Sequence, residues 1–324
     1  MKQFKSFILS IALAAFALSV SAQPGITKVT ELTVSIQEPV HFPVLSDAPA
    51  IVHLPIVGYY SETIPVVEVK ISGHPYRFVF DTGCSYTLFN SRYVSQSPGD
   101  SIVYFGTTQG VNSKLYNNGL VKVADFEAGG LKADELVMLT SNVNDKDFPV
   151  HGITGLSLVR DYDLLFDWSN REILLVNPDS TGSILDKQYK IIESIPVSYY
   201  TDPYYIGLEC QVNGKPLRLH IDTGAYKTLL PDDISNRGKS HLAKKPIRKK
   251  KGVGYMVQYK EFIEDKVTIT LGNQKYRRVK VLLGEHTRSE RYENAGLLGN
   301  NVLQRQPILI SMKSEKLLLL KHRR

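Results

Sequence analysis

The chain has 324 residues, 22% of them charged and 43% hydrophobic, with a formal charge of +7. That composition excludes a disordered chain, and two cysteines exclude a disulfide-framed scaffold or a cysteine zinc site. The eight histidines show no HExxH or comparable ligand spacing, so neither a metal nor a cofactor is expected.

Lys2 and Lys5, the apolar run over 7–18 and the small residues of Val20-Ser21-Ala22 read as a secretory signal over 1–22. Export to a periplasm or the extracellular medium is therefore expected. The apolar run is short for a spanning helix of about 20 residues, so no stable membrane anchor is expected after signal removal. Residues 23–50 alternate (Ile26, Val29, Leu32, Val34, Ile36) and then carry Pro39, Pro43 and Pro49. They read as an N-terminal extension or a pro-segment. Positive charge gathers in Lys244–Lys251 and Lys321–Arg324. No stacking aromatics or nucleic-acid motif accompany it, so these are solvated segments and no nucleic-acid partner is expected.

From Ile51 the chain reads as a run of short strands, rich in β-branched residues and separated by turns. They are Pro55–Val57, Pro65–Ile71, a strand ending at Asp81, Ile102–Phe105, Val121–Phe126 and Leu136–Leu139. Ser91–Ser95 reads as a helical turn, and Gly106–Gly110 as the tip of a hairpin. A short helix opens at His151–Leu156, and Leu164–Asp167 with Ile173–Val176 close a hairpin. Asn177–Asp186 has the Pro, Gly, Ser and Thr of a linker. A second series follows: Tyr204–Val212, a strand ending at Asp222, Gly252–Tyr255 in the place of the hairpin tip, and Val267–Leu271 with Val279–Leu283. Gly296–Leu303, Ile308–Ser311 and Lys316–Leu320 complete it. The fold class is mainly β. Long amphipathic helices are lacking, which argues against a doubly wound parallel sheet and against an actin-like or sugar-kinase ATPase.

One stretch is written twice. Ser72–Asn90 returns 141 residues later as Asn213–Pro231, with Gly73/Gly214, Pro75/Pro216, Arg77/Arg218, Thr87/Thr228 and Leu88/Leu229 in common. Both copies contain Asp-Thr-Gly, as Asp81-Thr82-Gly83 and Asp222-Thr223-Gly224. Each Asp ends an apolar-rich run, Phe78-Val79-Phe80 or Leu219-His220-Ile221, and the glycine is expected to let the backbone turn under it. A Gly-apolar-x-Gly segment follows 71 residues after the first Asp (Gly152–Gly155) and 74 after the second (Gly296–Gly299).

This paired pattern resembles the aspartic peptidases, and most closely the retropepsin-like peptidases in single-chain, two-lobed, bacterial secreted form. The resemblance covers about residues 51–320. It implies two similar β-barrel lobes, 51–182 and 183–324, related by the repeat with the active site between them. It implies Asp81 and Asp222 as a dyad activating water, with Thr82, Gly83, Thr223 and Gly224 supporting it. It implies flaps at Gly106, Gly110, Gly254 and Tyr255, a peptide or protein substrate, and a monomer. In that family Ser or Thr often follows the triplet and can donate to the carboxylate; here Cys84 and Ala225 stand there. Weaker donors lower the dyad pKa values less, so a mildly acidic to near-neutral optimum is expected. Cys84 itself lies beside a carboxylate, which raises a thiol pKa, and is not expected to be a nucleophile. The alternative function is a catalytically silent peptidase-fold binding module of the cell envelope.

Overall fold

Residues alternate between core and solvent along the strands, as a pleated ribbon requires. In one strand Val67, Val69 and Ile71 are buried while Glu68 and Lys70 are exposed; in another Ile206, Leu208, Cys210 and Val212 face inward around Glu209 and Gln211. The computed structural model describes residues 50–94, 102–109, 115–141, 150–201, 204–231, 234, 263–284 and 296–323. The expected signal segment, residues 23–49, the basic run 244–251, Gly110, Gly254 and Tyr255 lie outside the described residues. Among the described residues no helix is long and apolar enough to cross a membrane.

The first series comprises β1 (Ile51–Tyr60), β2 (Ile64–Ile71), β3 (His74–Phe80), β4 (Leu88–Asn90), α1 (Ser91–Val94), β5 (Ile102–Gln109) and β6 (Leu115–Ala128). It continues with β7 (Leu131–Ser141), β8 (Gly152–Thr154), α2 (Leu156–Val159), β9 (Asp163–Asp167) and β10 (Glu172–Val176). Then come α3 (Thr181–Gln188), β11 (Tyr189–Thr201), β12 (Tyr204–Val212), β13 (Lys215–Ile221), β14 (Leu229–Pro231) and β15 (Ile263–Leu271). The chain finishes with β16 (Gln274–Gly284), β17 (Leu297–Leu298), α4 (Asn300–Leu303), β18 (Ile308–Ser311) and β19 (Lys316–His322). The protein is mainly β.

Strand pairing closes a barrel in the order β2-β3-β8-β4-β7-β6 and back to β2. The same order of pairings joins β12-β13-β17-β14-β16-β15 and back to β12. Closure leaves no free edge within either ring. The turns β2–β3 and β12–β13 have matching backbones, with φ of 50° and 77° at Ser72-Gly73 and 52° and 81° at Asn213-Gly214. Two consecutive left-handed residues make the hairpin turn that suits strand twist, which is why glycine recurs there.

Beneath the barrels runs one antiparallel sheet in the order β1-β10-β9-β18-β19-β11. Its face packs Leu165, Leu174, Leu309 and Leu318 against Ile184 and Leu185 of α3. Two sequence expectations change here. The linker over Asn177–Asp186 holds the start of a helix, because Ile184 and Leu185 bury on the sheet and Thr181 Oγ1 donates to Asp163 Oδ2 at 2.7 Å. Composition alone does not reveal such anchors. β11, at 13 residues, was not foreseen as a continuous strand; Pro196 interrupts its pattern and a register shift falls between Ile191 and Glu193.

Asp167, 1% exposed, fastens this sheet. It accepts Tyr189 Oη at 2.7 Å, Ser169 Oγ at 2.7 Å, and the Asn170 main-chain N–H and Nδ2 at 3.1 and 2.9 Å. Burial alone would raise its pKa, but these donors, with His322 nearby, hold it below the ordinary 3.8. A depressed folded-state pKa means stability present above that value and lost as pH falls through the folded pKa. Asp167→Ala is expected to cost about 3 kcal/mol by orphaning buried donors, read as a lower urea midpoint at neutral pH, and to blunt acid unfolding below pH 3.8.

Candidate active site

Asp81 and Asp222 emerge at the ends of β3 and β13, where parallel pairing with β8 and β17 aims them the same way. The Asp81 N–H donates to Thr154 O and the Asp222 N–H to Leu298 O, both at 3.0 Å. Each loop then folds back on the helix after the downstream glycines. Leu156 N–H donates to Cys84 O at 2.9 Å, and Asn300 N–H to Ala225 O at 2.8 Å. Thr87 and Thr228 buttress the same place: their hydroxyls accept the Gly155 and Gly299 N–H groups at 3.2 and 3.1 Å.

The loops are cross-linked by their threonines. Thr82 Oγ1 accepts the Thr223 N–H at 3.0 Å and donates to Ile221 O at 2.8 Å. Thr223 Oγ1 accepts the Thr82 N–H at 3.0 Å and donates to Phe80 O at 2.9 Å. Both side chains are fully buried. Gly83 and Gly224 serve a purpose different from the expected sharp turn, since neither has a left-handed φ. A Cβ on Gly83 would lie 2.5 Å from Asp222 Cγ, and one on Gly224 would strike the Asp81 carboxyl. Glycine leaves the space that the opposing carboxyl fills.

The two carboxyls, 4% and 8% exposed, are hydrogen-bonded to each other. Burial raises the Asp81 pKa, while Asp222 and the main-chain N–H groups of Gly83, Gly224 and Cys84 pull it back; Gly83 N–H lies 2.8 Å from Oδ1. Asp222 rises well above 3.8, first from burial and then from the charge of Asp81. Its Oδ1 has no hydrogen-bond partner among the described residues. Asp81 thus accepts from more main-chain donors than Asp222, and the two carboxyls titrate as one pair.

Cys84 and Cys210 are free thiols. Cys84 Sγ donates to Tyr86 O at 3.2 Å, so it gives nothing to the carboxylates, and burial followed by the charge of Asp81 pushes its pKa up. Each barrel also sends a corner to the other's loop: Ser85 Oγ donates to Tyr204 O at 2.7 Å, and Thr63 Oγ1 to Tyr226 O at 3.4 Å. Ser169, His322 and Asp167 lie together, but His322 Nε2 faces both Ser169 Oγ (3.1 Å) and Asp167 Oδ2 (3.2 Å). A Ser-His-Asp relay needs both ring nitrogens, so this cluster is not one. Among the described residues no acidic, His and Cys cluster is suited to a metal.

The structure thus brings Asp81, Asp222, Thr82, Gly83, Thr223 and Gly224 to one place. Gly106 is not at a hairpin tip: pairing of β5 with β6 carries on through Gly106↔Asn118 to Gln109↔Leu115. Sequence reasoning noted Thr87 and Thr228 as matched residues without a role, and passed over His220 and Asn300. Their signal was polarity where the first copy has Val79 and Leu156. No curated protein matches the chain. Residues 208–305, from β12 through Asp222 to just past α4, match the family described as gag-polyprotein putative aspartyl protease, so this stretch is similar to aspartyl protease domains.

Proposed function

We propose that the chain is an aspartic endopeptidase of the retropepsin-like, single-chain, two-lobed kind, hydrolysing peptide bonds in peptide or protein substrates. The observation that carries this reading is the buried, mutually hydrogen-bonded pair of Asp81 and Asp222 on cross-linked loops. Two carboxyls this close hold one proton between them. The ionised carboxylate of the pair takes a proton from a water as the water oxygen bonds to the scissile carbonyl carbon. The protonated carboxyl gives its proton to the carbonyl oxygen, which becomes a hydroxyl. The tetrahedral intermediate collapses as the C–N bond breaks, a proton passes to the leaving nitrogen, and the hydroxyl proton returns to the pair. On this reading residues 1–22 direct export to a periplasm or the extracellular medium. The enzyme works as a monomer because one chain holds both aspartates.

The test is digestion of a mixed peptide library at about pH 4 to 7, with Asp81→Asn and Asp222→Asn alongside and a statine-type transition-state mimic as inhibitor. Cleavage lost in both variants and blocked by the mimic supports the reading. No cleavage by folded protein, before or after removal of residues 23–50, overturns it in favour of a silent binding module. Cleavage only after that removal identifies the extension as a pro-segment. Because both carboxyls are raised and neither the Cys84 nor the Ala225 side chain donates to them, the optimum is expected between mildly acidic and neutral. A sharp optimum below about pH 3, the range of a dyad with a strongly lowered first pKa, would contradict that.

A further inference from the structure

Two polar side chains beside the dyad have no counterpart in the first copy of the repeat. Two residues before the aspartate the first copy has Val79 and the second His220; after the last glycine of the downstream motif the first has Leu156 and the second Asn300. They are 8% and 0% exposed, which is costly unless hydrogen bonds compensate. His220 Nε2 lies 3.2 Å from Thr82 O. A carbonyl can only accept, so Nε2 carries the proton and donates. Asn300 Nδ2 donates to Thr223 O at 2.6 Å and to Thr63 O at 3.2 Å.

The two threonine carbonyls belong to the peptide units that carry the Gly83 and Gly224 N–H groups. Those N–H groups point at the carboxyls: Gly83 to Asp81 Oδ1 at 2.8 Å, and Gly224 to both aspartates. A peptide whose oxygen accepts a hydrogen bond is polarised and donates more strongly from its nitrogen. His220 and Asn300 therefore stand one peptide away from the reacting pair, each bonded to the Thr-Gly peptide of a different loop.

We propose that His220 and Asn300 are positioning residues for the carboxyl pair. Each draws on the oxygen of one Thr-Gly peptide, so that the N–H of the same peptide is fixed in aim and strengthened toward the carboxylate. The consequence for turnover rests on the peptidase reading; the effect on the carboxyls does not. Burial holds the His220 imidazole down at about 4, so above that it supplies an N–H without a positive charge. The Tyr205 ring, 4.1 Å from it centroid to centroid, holds the imidazole in place.

The test follows the carboxyl carbons of labelled aspartates by NMR across pH in wild type, His220→Val, Asn300→Leu and His220→Gln, with Asp81→Asn and Asp222→Asn to assign the signals. The first two variants install the first copy's own residues; Gln keeps a side-chain N–H. His220→Val and Asn300→Leu are each expected to raise the lower apparent pKa of the pair by about half a unit, the scale of one weakened hydrogen bond. The Gly83 amide should shift only in the former and the Gly224 amide only in the latter, with His220→Gln closer to wild type. In a cleavage assay kcat should fall about tenfold with KM unchanged, the mark of a group acting in the transition state. Carboxyl titrations identical to wild type, with both amides unmoved, would overturn the proposal even if stability or activity dropped. If His220→Val does not fold, Asn300→Leu and the Gly224 amide decide the same question on the other loop. Wild type that cleaves nothing would count against the peptidase reading and leave the titration result standing.

Discussion

Asparagine in place of either Asp81 or Asp222 is expected to lower kcat at least about 10³-fold, within reach of losing a general acid or base, while raising the melting temperature near neutral pH. Asparagine has nearly the same shape and keeps a hydrogen bond across the pair, but it neither ionises nor yields a proton. The stability gain follows from the direction of the shifts. Both folded-state pKa values lie above the ordinary 3.8. Stability from these groups is fully present below 3.8 and is lost as pH rises through the folded values. Above them the native state confines charge that the unfolded chain would hydrate. Melting curves at pH 4 and 7 for wild type and both variants, beside single-turnover cleavage, check this; variants less stable than wild type at the higher pH would refute the buried-charge account.

Thr82→Val and Thr223→Val are each expected to destabilise the fold by about 4 kcal/mol, from two buried main-chain groups left unpaired at roughly 1–3 kcal/mol each. Each hydroxyl satisfies an N–H and a C=O of the opposing loop, and valine fills the same volume with no polar atom. Serine keeps all four bonds and should cost about 1 kcal/mol, the order of one lost methyl in a core. The double valine variant should cost close to the sum, because the two hydroxyls make four distinct bonds and share none. Urea denaturation of the set measures this. Equal midpoints for serine and valine variants would show that the hydroxyls contribute nothing.

How much of this was legible in the sequence depends on what each residue answers to. The strands ending at Asp81 and Asp222 could be read because local alternation and a repeated turn signal agree with the final pairing. The meeting of Asp81 with Asp222 could be read because a duplicated triplet is improbable as two unrelated turn caps. The reason for Gly83 and Gly224 could not, since the carboxyl each glycine avoids lies 139 or 143 residues away in sequence, across the loops. α3 was hidden because Ile184 and Leu185 find partners only once β9, β10, β18 and β19 are side by side. Gly106 was misplaced because glycine suggests a tip, while ladder pairing with β6 runs past it. His220 looked like an irregularity in an apolar strand until Thr82 O appeared opposite it.

The sheet beneath the barrels sets an order of events during synthesis. Its two central strands are β9 and β18, and β18 with β19 is drawn from Ile308–His322, made well after β9 and β10. Until that segment is available, β9 has one side unpaired and β11 lacks its neighbour in this sheet. Such long-range pairing is slow to form and leaves apolar strands open meanwhile. A chain ending before Ile308 would lose the middle of the sheet, not its rim, and would therefore be exposed to aggregation and proteolysis as a whole. The sheet shared by the two series of strands thus waits on Ile308–His322.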